Sequence, residues 1–436
     1  MEPEFARGLI IVAVLLVLLG SGIWIFGAIF LISLGGLFFL QDFSFVRIGT
    51  LMKTVSWRAL TSYELASLPL FVWMAEILFR TRLSEQIFRG VSPWVDWVPG
   101  RLLHVVIVAC GLFGAVSGSS TATCATVSKI ALPELRKRGY DDGVIIGALS
   151  AGGTLGIMIP PSIAMVIYAV VAEVSLVKLM LAGFLPGLLM MGLFSGYICG
   201  WSVLNPHRTP DDPEPMRLIE RFARLFELAP VAVLFIFIFG ALFAGYITAT
   251  ECAAWGVAGA LLIAAQQRLL TWETFKLSIR GTVRTTSMLV MLIGMAAIMS
   301  SFVALAGIPN AMSRAVDSLG VGPFGLVAIL MLVFIVLGMF LDGMSMILLT
   351  LPVTLPMVVA AGFDPIWYGI FLILMIEIGA LTPPVGFNLF VLQNITGKNI
   401  FSIGRMSFPF FLMMVICIFV LVASPQIVMV LPNLYH

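Results

Sequence analysis

The sequence predicts an all-α integral membrane protein made of two inverted-topology repeats, each with a re-entrant hairpin and a broken helix. Three observations lead there: a composition that only lipid can solvate, a loop-charge pattern that makes two apolar segments turn back, and an internal repeat in one register. Of the 436 residues, 61% are hydrophobic and 11% charged, and the mean hydropathy is +1.11. Soluble domains carry about 25% charged and about 45–50% apolar residues, and a folded chain of this size still exposes roughly a quarter of its area. A surface that apolar belongs in a bilayer. The net charge of +2 leaves no electrostatic footprint for nucleic acid.

Apolar spans run over about 8–23, 24–41, 61–79, 143–171, 176–203, 228–247, 251–265, 285–305, 365–395 and 405–430, against the about 20 residues that a membrane helix needs. The first is read as a retained helix, because Glu2 and Glu4 face a single Arg7 and no small-residue cleavage site follows. Loop cations should collect in the cytoplasm. They cluster at Arg80, Arg82, Arg89 and Arg101, at Arg136 to Arg138, at Arg208 to Arg224, at Arg268 to Arg284, and at Lys398 and Arg405. The loops 173–175, 248–250 and 362–365 carry no Lys or Arg, and 306–323 carries only Arg314. Alternation then works only if segments 102–132 and 324–357 each enter and leave on one side, as re-entrant hairpins. Both termini fall outside, with Arg47, Lys53 and Arg58 on that side against the rule. The polar stretch between 203 and 228 (Asn205, Pro206, Pro210, Asp211, Asp212, Pro213, Glu214, Pro215) is a surface connection. Arg268 to Arg284, with Trp272, Phe275 and Lys276, predicts an interfacial arm helix on the cytoplasmic face.

Matching sequence follows the two hairpins. Leu132-Pro133, Gly139-Tyr140-Asp141, Gly156 and Pro160-Pro161 recur as Leu355-Pro356, Gly362-Phe363-Asp364, Gly379 and Pro383-Pro384, all at an offset of 223 residues. The organisation expected is 1–60, N-terminal scaffold helices; 61–203, first repeat, with its hairpin at about 102–132 and broken helix at about 143–171; 204–284, linker, scaffold helices and arm; and 285–436, second repeat, with its hairpin at about 324–357 and broken helix at about 365–395. Three crossings per repeat invert the second copy relative to the first. Such repeats are typical of secondary transporters, whose site lies at the repeat interface near the midplane.

The chemistry should sit where the helices are interrupted, because non-helical backbone at membrane depth must be satisfied by protein, water or ligand. Proline frees carbonyls one turn back, and short hydroxyls and free carbonyls are hard ligands suited to a small cation. One oxygen-rich site pairs Ser117, Ser119 and Ser120 with Thr154 and Gly156; the other pairs Asp342 and Ser345 with Gly379 and Thr382. The substrate cavity expected at the interface takes Ser120, Thr121, Pro160, Pro161, Pro383, Pro384 and Asn388. Helix N-termini starting after the tips would favour an anionic substrate. Carboxylates at depth are Glu64, Glu76, Glu251, Asp342 and Glu377, and such groups are functional by default. Asp342 is the strongest cation ligand among them, whereas Glu377 either ligates or holds the unwound backbone.

The five cysteines lie scattered in apolar stretches without CxxC spacing, and the three histidines are far apart, so no metal cluster or cofactor is expected. A channel would need a continuous polar path that the spans lack. A serine nucleophile at the tip would need a nearby base, and His104 stands at the start of the hairpin beside Arg101.

The stretches GLFGAVSGSSTAT (111–123), ALPELRKRGYD (131–141), SAGGTLGIMIPPS (150–162), GMFLDGMSMILLTLP (338–352), EIGALTPPVGFNLFV (377–391) and TATECAAWG (248–256) resemble the large membrane (permease) subunit, DctM, of the tripartite ATP-independent periplasmic (TRAP) transporters. The resemblance implies an elevator-type ion-transporter fold in the bacterial inner membrane. It also implies a sodium-coupled importer of small organic anions such as C4-dicarboxylates, keto acids, sialic acids or sugar acids, and the two oxygen-rich tip sites are where sodium is expected to bind. The partners it implies are a small membrane subunit of four helices and a soluble periplasmic protein that delivers the substrate. A cation-coupled carboxylate transporter or antiporter of the same fold, working without a binding protein, is the alternative. Lys129 departs from the family, which has a small or apolar residue there.

Overall fold

The computed structural model describes residues 21–210, 217–309 and 322–435, together with positions 10, 14, 17, 18, 311 and 314. Most of the expected first span (8–23), the acidic part of the polar connection (211–216) and much of the loop 306–323 therefore lie outside the described residues. No strand occurs among the described residues.

The first half opens with α1 (Ile25–Phe39) and α2 (Phe45–Leu60). Where the charge pattern left an outer loop with Arg47, Lys53 and Arg58, the chain instead forms α2, started by Ser44, whose hydroxyl accepts from the Arg47 amide at 3.4 Å. Only Ile48 is buried on it, so it lies along the surface and the three cations need no crossing. The span expected at 61–79 shortens to a 3₁₀ turn, Tyr63–Ala66, and a 12-residue helix, α3 (Ser67–Leu78). After α4 (Leu83–Val91) come the hairpin arms, α5 (Leu102–Ser117) and α6 (Ser120–Lys137). The broken helix follows as α7 (Asp142–Met158) and α8 (Ile163–Ala172), bent by 42°. The 29-residue α9 (Leu176–Leu204) completes the half.

Between the halves, α10 (Leu218–Phe226) meets α11 (Ala229–Phe243) at 57°, so part of the polar connection is helical. Thr248 and Glu251 cap each other at the start of α12 (Ala249–Gln266), with the Thr248 amide 2.8 Å from the Glu251 carboxylate. Glu251 is thus a cap at a helix end. The arm expected at 268–284 does not stop there: α13 (Trp272–Leu305) runs 34 residues without a break through 284/285, about 51 Å at 1.5 Å per residue. Glu76 pairs with Arg80 at 2.5 Å, and Gly281 of α13 leaves room for that carboxylate.

The second half repeats the order of the first. Its hairpin is α14 (Pro323–Gly338) and α15 (Gly343–Ala360); its broken helix is α16 (Pro365–Ala380) and α17 (Phe387–Thr396); α18 (Ile400–Ala423) and α19 (Gln426–Leu434) follow. Among the described residues, five helices are long and apolar enough to cross a bilayer alone, and up to seven spans result if each bent pair is one.

The repeated residues have the same jobs in both halves. Gly139 (φ +82°) and Gly362 (φ +89°) end the hairpins in the left-handed region that glycine enters without a Cβ penalty. Asp141 then caps α7 by accepting from Gly143 at 2.9 Å, and Asp364 caps α16 by accepting from Ile366 at 2.7 Å. Both proline pairs, Pro160-Pro161 and Pro383-Pro384, hold a cis peptide.

Candidate functional site

Each hairpin tip is seated on the broken helix of its own repeat by a glycine–glycine contact. A Cβ added at Gly114 would lie 2.7 Å from the Gly156 Cα, and one added at Gly338 would lie 2.7 Å from the Gly379 Cα. Backbone meets backbone there, so only glycine permits the approach. In the first repeat this brings oxygens together. Ser117 Oγ lies 2.7 Å from Thr123 Oγ1 and accepts from the Ser119 amide at 3.2 Å. Thr123 donates to the Ser119 carbonyl at 2.8 Å. A Cβ on Gly156 would stand 2.7 Å from that carbonyl oxygen and 2.8 Å from Thr123 Oγ1. The missing methyl leaves a small cradle bordered by two hydroxyls and a carbonyl.

Of the residues assigned to this first site, Ser117, Ser119 and Gly156 converge. Thr154 turns away, its hydroxyl donating to the Ala151 carbonyl of its own helix at 2.6 Å. Ser120 points to the other repeat and donates to the Glu377 carboxylate. Thr123 belongs to the cradle and was missed. It lies one turn beyond Ser119, so helical spacing from the tip was the signal that could have found it.

At the second tip, Asp342 caps α15. Its carboxylate accepts from the Met344 amide at 3.1 Å, the Ser345 amide at 3.3 Å and the Ser345 hydroxyl. Asp342 and Ser345 are therefore together. Gly379 faces Gly338, and the Thr382 hydroxyl returns to the Ile378 carbonyl at 2.7 Å. The tips are not equal: Ser119 stands where the 223 offset places Asp342, and only the second tip caps its helix with a side chain.

Of the residues assigned to the cavity, Ser120 and Asn388 reach across the seam between repeats. Asn388 on α17 is fully buried; its amide donates to the Ser150 carbonyl on α7 at 3.1 Å. Thr121 Oγ1 lies 3.3 Å from Ser119 Oγ. Pro160 and Pro161 are buried, Pro383 is half-buried against Gly404, and Pro384 is exposed, so the second break opens further to the surface than the first. More contacts stitch the seam: Ser150 and Ser407 hydroxyls at 2.5 Å, and the Tyr168 hydroxyl donating to the Pro365 carbonyl at 2.5 Å. Lys129 is exposed on α6.

A cavity of about 590 Å³ lies apart from the tips, between α2, α8 and α13. Arg58 of α2 and Glu173, just past α8, form an ion pair across it at 2.9 Å. Glu64, Ser300 and Ser301 are also on its walls. Among the described residues, no three His, Cys, Asp or Glu side chains gather as a metal cluster would require.

Residues 10–427 match the family described as tripartite ATP-independent periplasmic transporter, DctM component. The chain belongs to that family. A C4-dicarboxylate TRAP transporter large permease from Pseudomonas aeruginosa is 30% identical over 376 residues, covering 85% of this chain and 86% of that one. An ectoine/5-hydroxyectoine TRAP transporter large permease from Ruegeria pomeroyi is 30% identical over 377 residues, with 85% and 86% covered. The solved YdaH transporter of Alcanivorax borkumensis shares the fold at a TM-score of 0.59 and 15% identity, covering 88% of this chain and 87% of that chain. The TRAP permease described here is accordingly a multi-pass protein of the bacterial inner membrane.

Proposed function

We propose that this TRAP permease couples sodium entry to the import of a small organic anion, a carboxylate such as a C4-dicarboxylate, keto acid, sialic acid or sugar acid. The observation that supports this most directly is the packing of each tip against its broken helix. At the first tip, the Ser119 carbonyl and the Thr123 hydroxyl collect where Gly156 carries no side chain. Ser117, Ser119 and Thr123, with Gly156, would hold one ion; Asp342 and Ser345, with Gly379, would hold the other. A cation at either place draws hairpin and broken helix together, so ion binding orders the surface that meets the substrate. The Ser119 side chain makes no cap bond to α6, which leaves amides at that helix start for an anionic group. The α15 start is already occupied by Asp342, so the anion belongs nearer the first tip.

The hairpins and broken helices form the moving body in this reading, and α1–α3 with α11–α13 form the scaffold past which it slides. A small four-helix membrane subunit and a periplasmic protein that delivers the substrate complete the system. The names of the relatives span C4-dicarboxylates and ectoine, so the choice of a carboxylate rests on the free helix start and not on them. No enzymatic step is part of this reading.

The test is thermal unfolding of the purified protein in sodium, potassium and choline chloride at equal ionic strength. A ligand bound only by the folded state adds about 2.7 kcal/mol at 100-fold saturation. A saturable, sodium-specific rise, weakened by Ser119→Ala and Asp342→Ala, is the expected result. Identical curves in all three salts would refute sodium coupling at the tips.

A further inference from the structure

Glu377 is a buried carboxyl group that the tip sites do not use. It is fully buried on α16, between the repeats. At the 223 offset it takes the place of Thr154, which returns its hydroxyl to its own helix. Glu377 instead reaches across the seam and accepts from Ser120. Its Oε2 has no hydrogen-bond partner, and neither has Oδ1 of the fully buried Asn388. The Asn388 amide nitrogen donates to the Ser150 carbonyl, and the atom without a partner is the acceptor Oδ1. Each side chain thus keeps one buried oxygen without a donor, an expensive arrangement in a dry interior.

The two side chains share one strip. Glu377 meets Ser120 on α6 and faces the Ile157 amide on α7. The Asn388 backbone meets Cys124 on α6, and its amide group faces Gly153 on α7. Ser120 and Cys124 are four residues apart, as are Gly153 and Ile157, so Asn388 sits one helical turn from Glu377. One helical turn rises about 5.4 Å. A bare cation with oxygen contacts of about 2.3–2.6 Å, the range for calcium, spans such a gap. No ion pair joins Glu377 to a Lys, Arg or His among the described residues. With one carboxylate and neutral oxygens around it, the place balances a single positive charge, which suits a monovalent ion and not a divalent one.

We propose that Glu377, Ser120 and Asn388 form a third cation site, for a small monovalent ion, on the seam between the repeats and separate from both tips. The site would fasten α16 and α17 of the second repeat to α6 and α7 of the first, so that the two halves travel as one body only when it is filled. It deepens the sodium reading above and rests on it for the identity of the ion. The experiment is equilibrium binding of radioactive sodium to the purified full chain in lipid nanodiscs, counted at saturation for the native protein and for Glu377→Gln. The native chain should bind three ions, and E377Q, which keeps size and an acceptor for Ser120, one fewer. Equal counts in the two proteins, or a native count of two, would overturn the third site while leaving the tip sites standing. A native count of zero would instead overturn sodium coupling itself. Should E377Q not fold, the native count alone decides.

Discussion

Gly156→Ala tests the cradle with a single methyl group. Its Cβ would sit 2.7 Å from the Ser119 carbonyl oxygen and 2.8 Å from Thr123 Oγ1. Carbon–oxygen contacts normally begin at about 3.3 Å, so the tip must retreat by roughly 0.5–0.6 Å. Gly114 blocks relief on the other side, because it packs directly on the Gly156 Cα. Overpacking of this kind costs about 1–3 kcal/mol. The displaced atoms are the proposed ion ligands, so the strain falls on the ion-binding arrangement. A penalty of about 2 kcal/mol weakens sodium binding about 30-fold, since about 1.4 kcal/mol is a factor of ten. At a sodium concentration that gives the native protein about 2.7 kcal/mol of stabilisation, the variant would gain about 0.9 kcal/mol. The assay is a series of melting curves across sodium concentrations, read for the midpoint of the sodium effect. A lowered melting temperature with an unchanged sodium midpoint would refute the cradle as an ion site and leave Gly156 a packing residue.

Asp342→Asn keeps a cap for α15 and should change stability by no more than a few tenths of a kcal/mol, whereas Asp342→Ala should cost about 1 kcal/mol. Both should lose the sodium response of the second tip, and a response retained by D342N in melting curves would show that its charge is not a ligand. Gly338→Ala places a Cβ 2.7 Å from the Gly379 Cα, while Gly49 on α2 has open space. Melting should therefore show G338A destabilised by about 1–3 kcal/mol and G49A stabilised by about 0.5–1 kcal/mol from helix propensity. The Arg58–Glu173 pair is exposed, its side chains 77% and 68% accessible, so Arg58→Ala should cost less than about 1 kcal/mol. Joining the two positions as cysteines with a short bifunctional reagent should stop uptake in proteoliposomes reversibly. Full uptake by the cross-linked protein would mean that α2 and the end of α8 do not move apart during transport.

What the sequence determined by itself is backbone chemistry within short segments. Gly139 and Gly362, Asp141 and Asp364, the tips and the Pro-Pro pairs each act on neighbours a few residues away, so their types and one shared offset were enough to place hairpins and breaks. Composition settled the solvent, because no soluble surface could hide so many apolar residues. Helices with mixed faces escaped that reading: α2 and α10 are too charged to score as spans, and α13 continues from a basic stretch into an apolar one, so polarity changed where the helix did not. Only the tertiary structure decided which way the interrupted segments turn their polar atoms. Ser120 and Thr154 are both hydroxyls beside a break, yet one crosses to Glu377, 257 residues away, and the other closes on Ala151. The choice depends on which helix stands opposite, and that is fixed by glycine contacts such as Gly114 with Gly156 and by the seam from Asn388 to Ser150. Pairings over such separations leave no period or spacing in the chain, and they exist only once the two repeats have packed together.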